Sequence, residues 1–333
     1  MGLYDAPGLR QIGLEVTRNG RAPESMGRVG VLLGGLSTER SVSFKSGRAV
    51  AEALRSRGYD VVEIDVGYDV DKQLRGHEVA IAFPVLHGKW GEDGCIQGLL
   101  ECMGIPYVGP SVFAASLTMD KVTTLRLLRG AGLPVPEGKV VDRAALERSD
   151  LDLPFELPAI VKPVREGSSY GITRVDQRVD LETAIDAALR LDDRVLVEEC
   201  LDGPELTVGI LGGRDLPVVE IAPVQGWFDF EAKYTRGACE YFVPARIDEA
   251  LAAEVRSMSL EAARLTGCTD CARVDVMGGG ARGPRILEIN TIPGMTGTSL
   301  LPMAAAAEGI EFAEVCHRLV QMASLRNGPR AES

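Results

Sequence analysis

No apolar run in these 333 residues reaches the roughly 18 to 20 that a membrane-crossing helix needs. Residues 1–25 carry neither an apolar signal core nor a small-residue cleavage pattern. The chain opens Met1-Gly2, but Ala6 stands where a myristoylation signal needs Ser or Thr. Positive charge is short: 36 Lys and Arg against 48 Asp and Glu leave a net charge of −12, which argues against nucleic acid or an anionic membrane as the main partner. Any phosphate binding must come from basic groups placed locally. There is no G-x-x-x-x-G-K-[ST] loop, no G-x-G-x-x-G after a strand, no internal repeat and no low-complexity tract. The three histidines are dispersed, and only His87 falls in a motif. The seven cysteines are an odd number, and Cys268-Thr-Asp-Cys271 has no second pair to complete zinc coordination and no thioredoxin context. Cys95 and Cys102 share a helical face with Leu99, which reads as core packing. With 45% hydrophobic and 25% charged residues the chain can bury several small cores, so the expectation is a cytoplasmic enzyme of two or three domains.

What is present is most concentrated in residues 273–300. Two apolar runs, 272–277 and 285–289, flank a glycine-rich connection and read as a β-hairpin. Glu288 and Asn290 are two apart and face one side of their strand, and Asp275 sits on the adjacent strand. Carboxylate and amide oxygens without His or Cys suit Mg²⁺, which shares its remaining positions with water and substrate phosphates; Mn²⁺ is an alternative occupant. Exposed acids on an antiparallel pair are the plainer reading of the same pattern. Arg273 lies on the Asp275 face, where it could stabilise developing charge or simply hold Asp275 in place.

A phosphate site needs further ligands. An apolar strand at 159–161 runs into Lys162 and the Gly/Ser-rich stretch Glu166-Gly-Ser168-Ser169-Tyr-Gly171, whose backbone N–H groups can close over a triphosphate. Next, 195–209 holds two strand-like runs around a Gly-Pro turn, where strand-edge backbone near Glu198 could read an adenine and Glu205 could hold ribose hydroxyls.

Phosphate loop, lysines, acidic hinge and oxygen-lined hairpin, in this order, resemble the ATP-grasp superfamily. Gly34-Gly-Leu-Ser-Thr-Glu-Arg40, Leu86-His-Gly-Lys-Trp-Gly-Glu-Asp-Gly94, Met119-Asp-Lys121, Glu166-Gly-Ser-Ser169, Glu231-Ala-Lys-Tyr234 and Asn290-Thr-Ile-Pro-Gly-Met-Thr with Ser299-Leu300 resemble the motif set of its D-alanine:D-alanine ligase family. The likeness covers residues 28–323. It implies a ligase that activates one D-alanine as an acyl phosphate with ATP and Mg²⁺, two ions in the family pattern, and joins it to a second D-alanine for peptidoglycan synthesis. It also implies a homodimer. Lys121, Lys162 and Lys233 become phosphate ligands, Asp275, Glu288 and Asn290 the metal ligands, and Arg273 with the Gly294 N–H the stabilisers of the acyl-transfer step. Glu39 takes the first substrate's ammonium group near His87, and Ser299 with Leu300 takes the second substrate's carboxylate. Ser168 and Tyr234 form a latch that reaches Glu39. A ligase for D-serine or D-lactate and a nucleotide-binding regulator are the alternatives.

Ser41, Tyr170 and Glu199 depart from the family pattern, at positions where an acid, a small apolar residue and a base can occur. The expected architecture is α/β with three domains. Residues 1–27 form an extension, with Met26 a possible start; 28–118 an open parallel α/β unit; 119–199 the central unit with the phosphate loop; 200–325 the metal unit; and 326–333 a tail.

Overall fold

The computed structural model describes residues 26–167, 170–224, 239–278, 280 and 282–326. The chain begins with β1 (Arg28–Leu33), α1 (Arg40–Ser56), β2 (Val61–Asp65), α2 (Val70–Gly76), β3 (Val79–Pro84), α3 (Cys95–Met103) and α4 (Val112–Met119). The three strands form a parallel sheet in the order β2-β1-β3. β1 is buried along five of its six residues, as a central parallel strand covered on both faces must be. The α/β alternation thus yields the expected open parallel unit, and the loops after β1 and β3 emerge together at the carboxyl edge, where such sheets place their ligands.

Then follow α5 (Lys121–Gly130), β4 (Gly138–Asp142), α6 (Arg143–Glu147), β5 (Ala159–Pro163), β6 (Thr173–Val175), α7 (Arg178–Ala188) and β7 (Arg194–Glu199). These strands build an antiparallel sheet ordered β4-β7-β5-β6. α5 starts at Asp120, whose Oδ1 accepts the Thr123 N–H at 2.9 Å, a cap that contributes about 1 kcal/mol. That cap fixes Lys121 at the first helical position. Val122, Leu125 and Leu128 turn inward, while Leu127 is 38% exposed.

The third sheet comprises β8 (Glu205–Leu211), β9 (Arg214–Asp215), β10 (Val219–Pro223), β11 (Cys239–Phe242), β12 (Cys271–Met277) and β13 (Arg285–Asn290), ordered β11-β10-β8-β12-β13 with β9 on β8. One face is covered by α8 (Glu249–Thr266), capped by Asp248 and ended by the left-handed Gly267. α9 (Leu300–Ala307) and α10 (Phe312–Gln321) complete the chain's helices among the described residues. The packing of α10 on α1 merges Val50, Leu54, Leu301, Val315 and Leu319 into one apolar cluster with residues of the first and third sheets. A separate core fills the space between β4-β7-β5-β6 and helices α6 and α7.

The cysteines of α3 correct the sequence reading. Cys95 and Cys102 are exposed, because the helix buries the stripe through Ile96 and Leu100, one residue further round. Cys268, Cys271 and Cys316 are buried thiols, and burial pushes Cys268 up to about 11 and Cys271 to about 12, so both stay protonated and inert.

Candidate active site

The β12–β13 hairpin pairs Asp275 with Glu288 and Arg273 with Asn290. Directly opposed residues share a face, so all four side chains stand on one side of the sheet. On the neighbouring strand β8, Thr207 faces Asp275 and Glu205 faces Met277, which adds Glu205 to the same face one pair further along. Asp275 is held at both oxygens: Arg273 donates from Nε and Nη2 at 2.7 Å each, Thr207 Oγ1 donates to Oδ1 at 2.8 Å, and Asn290 Nδ2 to Oδ2 at 2.9 Å. With Nδ2 so engaged, the Asn290 carbonyl oxygen is left to face away from Asp275. Burial works against the Arg273 charge, but the Asp275 carboxylate beside it outweighs that cost and holds the guanidinium above its ordinary range.

Lys121 joins this face to the phosphate loop. Its Nζ donates to the Glu166 carbonyl at 2.6 Å and lies 3.5 Å from Glu288 Oε2, with the residue only 7% exposed. Lys162, on β5, pairs at 2.5 Å with Glu198 across the strand ladder, both buried. Burial raises the Glu198 carboxyl above the usual range, and the Lys162 charge opposes that rise. Arg165 anchors the start of the loop through its N–H on Asp192 at 2.7 Å and its guanidinium on Asp192 and Asp193. The Glu166 carboxyl is raised by burial and by the charges of Asp192 and Glu39.

Glu39 enters from the parallel sheet. Ser43 takes the Gly34 N–H at 2.9 Å and donates to the Val85 carbonyl, and Ser37 donates to the His87 carbonyl at 2.7 Å, so the loops after β1 and β3 are tied together. Glu39 is the N-cap residue of α1, yet its side chain makes no capping bond. A Cβ added at Gly88 or at Gly167 would each meet Glu39 Oε2 at 3.0 Å. The carboxylate is therefore lodged between the β3 loop, at the residue after buried His87, and the phosphate loop, where a side chain on either glycine would press against it. Gly294 and Ser299 also come together, with a Cβ at 294 falling 3.0 Å from Ser299 Oγ. Ser299 is the N-cap residue of α9, Leu300 its first residue, and the Ser299 hydroxyl takes the Thr296 N–H at 3.1 Å instead of capping. Ser46 of α1 accepts the Met295 N–H and pins this turn.

Ser168, Ser169, Lys233 and Tyr234 lie outside the described residues. Of the three departures from the family pattern, Ser41 is solvent-exposed on α1 and Tyr170 is 41% exposed beside the loop. Glu199 is buried, accepts the Glu137 N–H at 3.1 Å and pairs with Arg282 from the hairpin connection, so an acid there clamps two sheets together. Sequence reasoning missed Thr207, Asp192 and Arg282, which act through contacts across 68, 27 and 83 residues of chain. It also passed over Glu92, although that residue stands inside the quoted 86–94 motif.

The oxygen chemistry of Asp275, Glu288 and Asn290 suits a hard divalent cation, and Lys121 and Arg273 balance the two acids. No group of three or more His, Cys, Asp and Glu side chains placed to hold a metal ion occurs among the described residues, and the set here counts an amide as its third member. No helix of the described residues is long and apolar enough to cross a membrane.

The family model described as D-ala D-ala ligase C-terminus matches residues 127–321, and that for the N-terminus matches 66–110. A D-alanine--D-alanine ligase of Anaeromyxobacter sp. (strain Fw109-5) is 45% identical over 300 residues, covering 90% of this chain and 97% of that protein. One from Desulforudis audaxviator is 46% identical over 309 residues, covering 90% and 99%. Among crystal structures, a Bacillus anthracis D-alanine--D-alanine ligase complexed with ATP superposes with TM-score 0.75 at 30% identity, covering 88% of this chain and 96% of that one. The VanG D-Ala:D-Ser ligase of Enterococcus faecalis gives 0.77 at 31%, covering 88% and 98%. With both family models in sequence order and relatives of this identity across 90% of its length, the chain belongs to the D-alanine–D-alanine ligase family.

Proposed function

We propose that the protein makes D-alanyl-D-alanine from two D-alanines and ATP through an acyl phosphate, releasing ADP and phosphate for peptidoglycan precursor synthesis. The observation that carries this reading is Lys121, whose Nζ contacts both the phosphate loop at Glu166 and the oxygen-lined hairpin at Glu288. A cation so placed serves a triphosphate held between loop and hairpin.

A carboxylate is a poor electrophile, and phosphorylating it supplies a leaving group. Lys121, Lys162 and Lys233 offset the triphosphate's charge, the Ser168 and Ser169 stretch covers it, and Glu198 and Glu205 hold the base and ribose ends. Asp275, Glu288 and Asn290 would hold Mg²⁺ or Mn²⁺, which supplies Lewis-acid polarisation of phosphoryl oxygens. Glu39, beside His87, binds the first substrate's ammonium group and aims its carboxylate at the γ-phosphorus. The second substrate's carboxylate lies at Ser299 and Leu300, where helix-end N–H groups favour an anion. When its amine attacks, charge grows on the carbonyl oxygen, and the Arg273 guanidinium with the Gly294 N–H stabilises it. Tyr234 and Ser168 close the site against water. The roles of Ser168, Ser169, Lys233 and Tyr234 rest on the family motifs, as does the homodimer, while the cytoplasmic location rests on composition and the division at 28–118, 119–199 and 200–325 on the order of strands and helices in the sequence.

Purified protein with ATP and Mg²⁺ should release ADP only when D-alanine is added, and measuring ADP release with and without D-alanine tests this. ADP release that needs D-serine or D-lactate as second substrate would reassign the specificity, and ATP binding without turnover would leave a nucleotide-binding regulator.

A further inference from the structure

The turn between α7 and β7, residues 191–194, supplies none of the phosphate ligands proposed above, yet it touches the phosphate loop at both ends and the helix that carries Lys121. Where the loop begins, Asp192 Oδ2 accepts the Arg165 N–H at 2.7 Å and Oδ1 accepts the Arg165 guanidinium at 2.5 Å. Asp193 pairs with the same guanidinium. Where the loop ends, a Cβ at Gly171 would lie 2.4 Å from Leu191 Cδ1, and the glycine's φ of 76° is itself left-handed, so Leu191 occupies the space a side chain would need.

Arg194, the first residue of β7, reaches in the other direction. Its guanidinium pairs with Asp120 Oδ2, while Oδ1 of the same carboxylate caps α5 through the Thr123 N–H. The backbone repeats the link: Lys121 N–H donates to the Val164 carbonyl at 3.3 Å, and Val164 N–H to the Arg194 carbonyl at 3.2 Å. The turn is itself tied down, since the Leu191 and Asp192 N–H groups both donate to the Ala188 carbonyl, at 3.0 and 3.2 Å. The Asp192 side chain is 3% exposed; burial works against its charge, but the bonds from Arg165 outweigh it and hold the carboxyl below the usual range. Asp192 is therefore ionised at neutral pH, and its bonds to Arg165 are charge-assisted.

We infer that Asp192 is a positioning residue of the nucleotide site: from one turn it anchors the start of the phosphate loop while Arg194 anchors the Lys121 helix, so that loop and lysine keep a fixed spacing on the triphosphate. This rests on the ligase reading for its nucleotide chemistry. The spacing matters because Lys121 Nζ donates at 2.6 Å to the carbonyl of Glu166, the residue directly after Arg165. A slip at Arg165 moves the carbonyl that aims the lysine. Glu39 and Ser299, assigned to the two D-alanines, stand at the starts of α1 and α9, so a change confined to the turn acts first on the nucleotide.

The test compares wild type, Asp192→Asn and Asp192→Ala in the full-length enzyme. Asn keeps an acceptor for the Arg165 N–H but loses the charge pair, and Ala loses both. The ATP KM should rise about tenfold in Asp192→Asn and further in Asp192→Ala, the scale of losing hydrogen bonds to a charged group. The D-alanine KM should stay within about threefold. Adding Arg165→Met to Asp192→Asn should cost less than the two separate effects combined, because both act through one pair. Calorimetry with a non-hydrolysable ATP analogue and Mg²⁺, without D-alanine, should show the same loss of affinity as the ATP KM. Equal rises in both KM values, an Asp192→Asn variant that binds the analogue as wild type does, or additive effects in the double variant would overturn the inference. If wild type shows no D-alanine-dependent ADP release, the ligase reading fails and the calorimetry still decides the role of Asp192; wild type that does not bind the analogue would overturn both.

Discussion

Arg273 and Asp275, two residues apart on β12, form a buried bidentate pair with both contacts at 2.7 Å. The arginine therefore does two jobs. It orients Asp275, the proposed metal ligand, while presenting its charge to the face on which acyl transfer is proposed. The two alternatives weighed for it from sequence are compatible in one geometry, because the guanidinium has a donor edge left over after the fork meets the carboxylate.

Removing either function of that pair has a separable signature. Arg273→Met leaves a buried acid without its main partner and should destabilise the protein by about 3–5 kcal/mol. Arg273→Lys keeps the charge but not the fork, so it should retain more stability while still lowering kcat by roughly 100-fold. Thermal unfolding with ADP-release kinetics checks this; a Lys variant with near-normal kcat would reduce Arg273 to a point charge.

Glu288, a proposed metal ligand on the hairpin, lies 3.5 Å from Lys121 Nζ. Glu288→Gln should lower turnover roughly 100-fold and shift the Mg²⁺ dependence to higher concentration, with little loss of stability because the residue is partly exposed. An Mg²⁺ titration of ADP release gives the comparison. Normal activity at limiting Mg²⁺ would remove Glu288 from the metal site.

Gly167 tests the placement of Glu39. It has an ordinary backbone conformation, and a methyl group there would sit 3.0 Å from Glu39 Oε2, so the carboxylate must shift by a few tenths of an ångström. Gly167→Ala should raise the D-alanine KM by roughly tenfold, on the scale of a misaligned charged hydrogen bond. Were only the ATP KM to change, Glu39 would not be the ammonium ligand.

Glu92 also predicts a pH dependence of stability. Its carboxyl is raised from 4.5 to about 8 by desolvation first and by Glu39 second, with Arg273 opposing. The native state therefore holds a proton that the unfolded chain releases at lower pH. Its contribution is fully present below about pH 4.5 and is lost as pH rises towards about 8, by an amount on the order of 5 kcal/mol. Urea unfolding of Glu92→Gln across that window should show a flatter profile than wild type; an identical slope would place the titration elsewhere.

Much of this site is legible in the sequence, for identifiable reasons. The hairpin at 271–290 follows from two apolar runs around glycines, and strand alternation then dictates that Glu288 and Asn290 share a face. The start of α9 at Leu300 and the β1 loop before α1 are similarly local. What escapes is long-range: nothing near Thr207 announces that β8 will pair with β12 and bring its hydroxyl to Asp275. Glu199 and Arg282 show the same limit, since each is an ordinary surface charge until two sheets approach. The α3 error has a different cause. Cys95, Leu99 and Cys102 make a valid helical stripe, but so do Ile96 and Leu100, and only the packing partner decides which is buried.

The account stands or falls on how the carboxylate is activated. Metal ligands and lysines gathered at the phosphate loop favour attack at the γ-phosphorus over adenylation. An acyl phosphate keeps one substrate carboxylate oxygen between carbon and phosphorus, and amine attack expels that oxygen with the phosphate. D-alanine labelled with ¹⁸O in its carboxylate should therefore transfer label to inorganic phosphate as D-alanyl-D-alanine forms. Label found in AMP, or pyrophosphate released in step with dipeptide, would contradict it.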